Sequence, residues 1–132
     1  MRILGVTLSK EPLGPVTRDG DTKWFDIVNW TVLGMIAAEE LGLSSGNVAA
    51  QASSPSSIDI ARLLGVGFDG ADAFPFGDAL GIDNTFMQDV LSQVGNYGEV
   101  YERTITPLGL ERAGTLNALW INGGLLYAPP IK

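Results

Sequence analysis

The chain has 132 residues, 45% of them hydrophobic, and carries 15 Asp and Glu against 8 Lys and Arg, a net charge of −7. That length and apolar content suit one folded domain, and the negative balance, with no basic stripe to offset it, excludes a nucleic-acid partner. The chain has no Cys and no His, which removes disulfides, thiolate or imidazole zinc sites, thiol nucleophiles and His-based acid–base chemistry.

Met1–Leu8 holds one charge and a short apolar run, without the length or the small-residue cleavage site of a secretion signal. Ile3–Leu8 and Leu13–Thr17 read as short extended segments, and Pro12 and Pro15 keep them out of a central strand because proline has no N–H to donate. After a turn at Arg18–Asp21, the pattern predicts a helix from about Thr22 to Leu41, with Asp21 or Thr22 as its cap. Trp24, Val28, Thr31, Met35 and Ala38 recur at helical steps, and Ile27, Val32 and Ile36 widen that stripe. Gly34 inside a helix costs about 1 kcal/mol relative to Ala, which predicts a close backbone contact there. Gly42 is the natural stop. The apolar run Ile27–Ala38 is broken by Asn29 and is shorter than the roughly 20 residues a membrane span needs.

Ser44–Ser57 is rich in Ser, Ala and Gly and reads as a loop or a single short turn. Ser56 or Ser57 then caps a second helix that runs through Leu64, buries Ile60, Ala61, Leu63 and Leu64, and stops at Gly65. Gly65–Gly81, with five Gly, Pro75 and three Phe, reads as a long irregular loop that Phe68, Phe74 and Phe76 fold back onto the body. Asp83 caps a third helix, Asn84–Val94, with Phe86, Met87, Val90, Leu91 and Val94 inward. A fourth, Tyr97–Thr104, sets Glu99 four residues before Arg103, the favourable order for an ion pair along a helix. A last helical turn over Thr115–Trp120 precedes Gly123–Gly124 and an extended Leu125–Pro130. The fold class is mainly α: one domain over 1–132, with an extended segment at 1–20 and a helical body at 21–132.

No short motif carries chemistry. Gly42–Gly46 matches the nucleophile-elbow spacing, but a serine nucleophile of that kind needs an imidazole to take its proton. Gly65–Gly70 matches a dinucleotide-binding glycine pattern without the strand before it or the helix after it. The acids Asp69, Asp72, Asp78 and Asp83 do not make an EF-hand, since Ala71, Ala73 and Leu80 stand where oxygen ligands belong. Asn29-Trp30-Thr31 is a glycosylation sequon placed inside a predicted helix. Glu39 and Glu40, Glu99 and Glu102 read as charges on helix surfaces, and Trp24, Trp30, Trp120 and the tyrosines as packing surfaces. The expectation is a non-enzyme with no catalytic residue, metal ligand or cofactor.

Longer strings are more specific. Ser9–Val16, Asp21–Val28, Gly95–Arg103, Leu116–Trp120 and Gly123–Pro130 occur in an order that resembles the carboxy-terminal end of the general L-amino-acid-binding proteins of ABC transporters. The resemblance covers nearly the whole chain. It implies the helical carboxy-terminal portion of a type II periplasmic-binding-protein lobe, with one or two short extended segments before it, and it makes the extended segment at 1–20 hinge-like. It also implies a periplasmic setting, whereas the absence of a signal within these residues implies a cytoplasmic one for the chain as it stands. The groups that hold a ligand's carboxylate and amino group fall outside the resemblance, so no ligand contact is assigned to a residue here. Apolar helix faces left without their sheet predict a homo-oligomer with no transport activity of its own. The alternative is an amino-acid or small-molecule binding module that works as an oligomer or with a partner.

Overall fold

The computed structural model describes residues 14–131, which form six α-helices and two short 3-10 turns. The predicted extended segment Ile3–Leu8 lies outside the described residues, and 14–17 have no strand pairing. The longest helix, α1 (Thr22–Glu40), starts where Asp21 Oδ1 accepts the Trp24 N–H at 3.0 Å. Its carboxy-terminal half packs as expected: Gly34, Ile36 and Ala38 are buried. A Cβ on Gly34 would lie 2.8 Å from Met87 Sδ, so the glycine marks the close contact its position predicts. The amino-terminal half differs from the predicted stripe. Trp24 and Phe25 are 52% and 53% exposed, and every residue from 27 to 33 is only half-buried.

The Ser-rich stretch after α1 contains a short helix, α2 (Val48–Ser53), where a loop or single turn is predicted. Asn47 explains its placement, accepting the Ser44 N–H at 2.8 Å and donating to the Gly42 carbonyl at 2.9 Å. Helix α3 (Ile58–Leu64) is capped by Ser57 and stopped by Gly65 in the left-handed region, and it buries all four predicted residues. The cap works because the serine oxygen satisfies a first-turn N–H that has no partner within the helix.

Gly65–Gly81 is not wholly irregular, for it contains α4 (Phe76–Leu80). Phe76 meets Trp30 edge-on at 5.8 Å and Phe86 at 5.2 Å, while Phe74 lies 5.0 Å beneath the Arg62 guanidinium. The predicted folding-back therefore holds for those two rings, and Phe68 is half-buried. Helix α5 (Phe86–Gln93) begins later than expected, because Asp83 binds the Thr85 N–H and hydroxyl rather than capping the helix. It also ends before Val94, which is exposed rather than inward.

Helix α6 (Tyr97–Thr104) has the predicted bounds and opens on a reciprocal cap between Asn96 and Glu99. That cap corrects the expected Glu99–Arg103 pair: Glu99 turns back to Asn96 and Ser45, and Arg103 donates to the Val94 carbonyl at 2.6 Å. The rest of the chain has 3-10 turns at Thr106–Leu108 and Trp120–Asn122, the second later than the predicted Thr115–Trp120 turn. A parallel bridge pairs Leu119 with Leu126.

The core gathers Ala38, Leu43, Val48, Ile60, Leu63, Leu64, Met87 and Leu91 from α1, α2, α3, α5 and the loop between α1 and α2. Burying the Val, Leu, Ile and Met side chains of this set contributes roughly 1.5–3 kcal/mol each. Helix α1 is the common partner, touching α3, α4, α5 and α6. Among the described residues no helix is long and apolar enough to cross a membrane.

Candidate functional site

The two glutamates that end α1 are put to different uses. Glu39 faces the segment after α6 and accepts Arg112 Nη1 at 2.6 Å. Arg112 Nε donates to the Asn117 carbonyl at 2.6 Å, and its guanidinium lies over Tyr97 and Tyr101 at 5.3 and 5.6 Å. An arginine fits this role because its planar fork can pair, donate and stack at once. Arg112 is buried, although nothing in the sequence singled it out. It anchors the otherwise irregular carboxy-terminal segment to α1 and α6.

Glu40 faces the other way, into a cleft of about 510 Å³ lined also by Leu41, Asp59, Trp120, Tyr127 and Ile131. The cleft forms where the end of α1 and the start of α3 meet the extended tail. The bond from the Trp120 N–H to the Leu126 carbonyl, 2.8 Å, holds the two sides of the tail together. Trp120 and Tyr127 are 59% and 65% exposed, so they are not the packing surfaces their residue types suggest. Glu40 Oε1 is buried without a hydrogen-bond partner among the described residues. Asp59 lies 3.5 Å from Arg62 on the same helix.

A second polar cluster joins the loop after α1 to α6. Ser45 donates through its hydroxyl at 2.6 Å and its N–H at 3.0 Å to Glu99, which also accepts the Asn96 N–H at 2.8 Å. Partial burial opposes ionisation of Glu99, but the Ser45 hydroxyl and the two N–H donors, with Arg103 nearby, outweigh it and hold the carboxyl below its usual range. Asn96 Nδ2 donates to the buried Leu43 carbonyl at 2.6 Å. This network is structural.

The remaining sequence features find local uses. Ser44, the centre of the elbow-like spacing, sits in the turn before α2. Gly65 is the left-handed stop of α3, and a Cβ there would lie 1.9 Å from the Asn84 carbonyl oxygen. Hydrogen bonds from the Thr85 hydroxyl and N–H hold the Asp83 carboxyl below its usual range. Among the described residues no group of three or more acidic side chains is placed to hold a metal ion.

No family model matches the chain. Relatives do match, over almost all of it. The general L-amino acid-binding periplasmic protein AapJ of Rhizobium johnstonii is 47% identical over 98% of this chain and 37% of its own length. The glutamate/glutamine/aspartate/asparagine-binding protein BztA of Rhodobacter capsulatus is 45% identical over the same shares. Among solved structures, an ABC transporter periplasmic binding protein from Brucella ovis with glutathione bound superposes with a TM-score of 0.76 at 39% identity, over 87% of this chain and 35% of that one. These relatives are named for binding, not for catalysis. The mainly helical architecture of the described residues is that of one portion of such a protein. The chain thus belongs with the periplasmic binding proteins of amino-acid ABC transporters, as a segment that spans about 37% of the length of the curated relatives it matches.

Proposed function

We propose that this segment has no transport activity by itself and self-associates through the open side of α1, in the periplasmic setting of its relatives. The observation that carries the reading is the character of α1. Apolar residues are spread around its circumference, yet Trp24 and Phe25 stay exposed and residues 27–33 are all partly open to solvent. A helix that is apolar on every side belongs between two layers, and only one layer is built by the described residues. The chain spans about 37% of the length of these relatives, so a layer that the remaining residues of a relative can supply is one that a second copy would have to supply to this segment alone. A two-fold pairing of α1 with its copy would cover both faces at once.

Light scattering tests this directly. A mass that is a multiple of 14.0 kDa and falls to a single chain in Trp24→Lys supports self-association. A concentration-independent single-chain mass in the unaltered protein overturns it. A thermal melt against the proteinogenic amino acids, run on the same sample, tests the alternative binding module. A melting temperature that rises with the concentration of one amino acid requires binding to the folded state and would replace the inactive reading.

A further inference from the structure

We propose that the cleft at the carboxy-terminal end of α1 binds a small organic cation, an ammonium group carried on an apolar body. This goes beyond the self-association reading and does not depend on it, since Trp24 lies roughly 24 Å along the helix from Glu40 at the α-helical rise.

Four observations converge. The cleft, about 510 Å³, is of the size that holds a small molecule. Its walls include Ala37, Leu41, Pro129 and Ile131, which give an apolar body a surface to cover. Trp120 and Tyr127 border it and remain more than half exposed, so their ring faces are not used up by the core. Among the described residues, its charged lining consists of two carboxylates, Glu40 and Asp59, with no Lys or Arg.

The two acids are not equivalent. Asp59 is exposed and already has Arg62 at 3.5 Å, whereas Glu40 has no ion-pair partner among the described residues and buries an oxygen that accepts no hydrogen bond. The Glu40 carboxylate lines the cleft, and a cation entering there brings an opposite charge close to it without having to reach the oxygen that is buried. Aromatic faces next to a carboxylate favour a cation over a neutral molecule of the same shape, because the ring quadrupole and the negative charge act in the same direction. A free anion would meet two carboxylates on a chain whose net charge is −7, so that class is disfavoured.

The experiment is calorimetric titration with choline, n-butylammonium and 3,3-dimethylbutan-1-ol, the last being a neutral analogue of choline with the same shape. Saturable binding of both cations, with the alcohol about tenfold weaker or more, is the expected result. Glu40→Gln should weaken the cations by about threefold or more and leave the alcohol unchanged. Tyr127→Leu, at a 65% exposed position, weakens them without risk to the core. Trp24→Lys, which bears on self-association alone, leaves cation binding as it was. Equal binding of alcohol and cations, no cation binding at millimolar concentration, or insensitivity to both Glu40→Gln and Tyr127→Leu overturns the proposal. So does loss of cation binding in Trp24→Lys.

Discussion

Arg112 Nη1 lies 2.6 Å from Glu39 Oε1, with the two side chains 9% and 18% exposed, and this pair fastens the segment after α6 to the end of α1. One oxygen of Glu39 and one nitrogen of Arg112 remain buried without hydrogen-bond partners among the described residues. Removing one member of such a pair strands the other charge in a poor solvent. Arg112→Met should therefore cost about 3 kcal/mol in urea unfolding. The double variant Glu39→Gln/Arg112→Met should lose less than Arg112→Met alone, and a larger loss would contradict this account.

Gly65 and Gly42 both occupy the left-handed region, at φ +63° and +71°, but their surroundings differ. A Cβ at Gly42 meets open space, whereas at Gly65 it meets the Asn84 backbone at 1.9 Å. Gly42→Ala should show only the backbone penalty of about 1–2 kcal/mol. Gly65→Ala should lose clearly more, read as the difference in urea midpoints.

Glu99 makes stability depend on pH. Its folded carboxyl titrates below the ordinary value of 4.5, so the unfolded chain takes up its proton first as acid is added. The stabilisation is complete above that value and disappears as pH falls through the folded one. Melting temperatures between about pH 7 and about pH 3 should show the unaltered protein ahead of Glu99→Gln at the upper end, with the gap closing at the lower. A gap that stays constant would count against the network.

Leu63 is fully buried and Leu108 is 72% exposed. Leu63→Ala should cost about 2–5 kcal/mol through lost transfer energy and a cavity. Leu108→Ala should stay within about 0.5 kcal/mol. Comparable losses at the two sites would mean that Leu108 is covered in solution, which unfolding at several protein concentrations would detect.

What could be read from the sequence is what local chemistry decides. Ser57 and Gly65 bracket α3 through hydrogen bonds to neighbours a few residues away, as their residue types predict, whereas the Asn96 cap of α6 is equally local but emerges only in the structure. Helix α4 was hidden because its setting is non-local: Phe76 rests on Trp30 and Phe86, while the surrounding Gly and Pro read as loop. Trp24 counted as buried because periodicity identifies an apolar side, not whether anything packs on it. The cleft had no signature at all. Glu40 and Asp59 are far in the chain from Trp120 and Tyr127, and the exposure that distinguishes the two rings is a property of the folded state.

The close approach at Gly65 has a counterpart at Gly77, where a Cβ would lie 2.1 Å from the Asp83 carbonyl oxygen. Gly65 thus presses on Asn84 and Thr85, and Gly77 on Asp83 and Asn84, while residues 69–73 between them are all exposed. The stretch behaves as a buckle with a free tongue: its feet admit no bulk, but its middle can be lengthened. A peptide tag or a fluorophore-bearing cysteine spliced in after the exposed Ala73, beyond the turn in which the Ala71 N–H donates to the Phe68 carbonyl at 3.0 Å, would ride outside the body without disturbing α3 or α5, which makes this the natural handle for immobilising or labelling the chain.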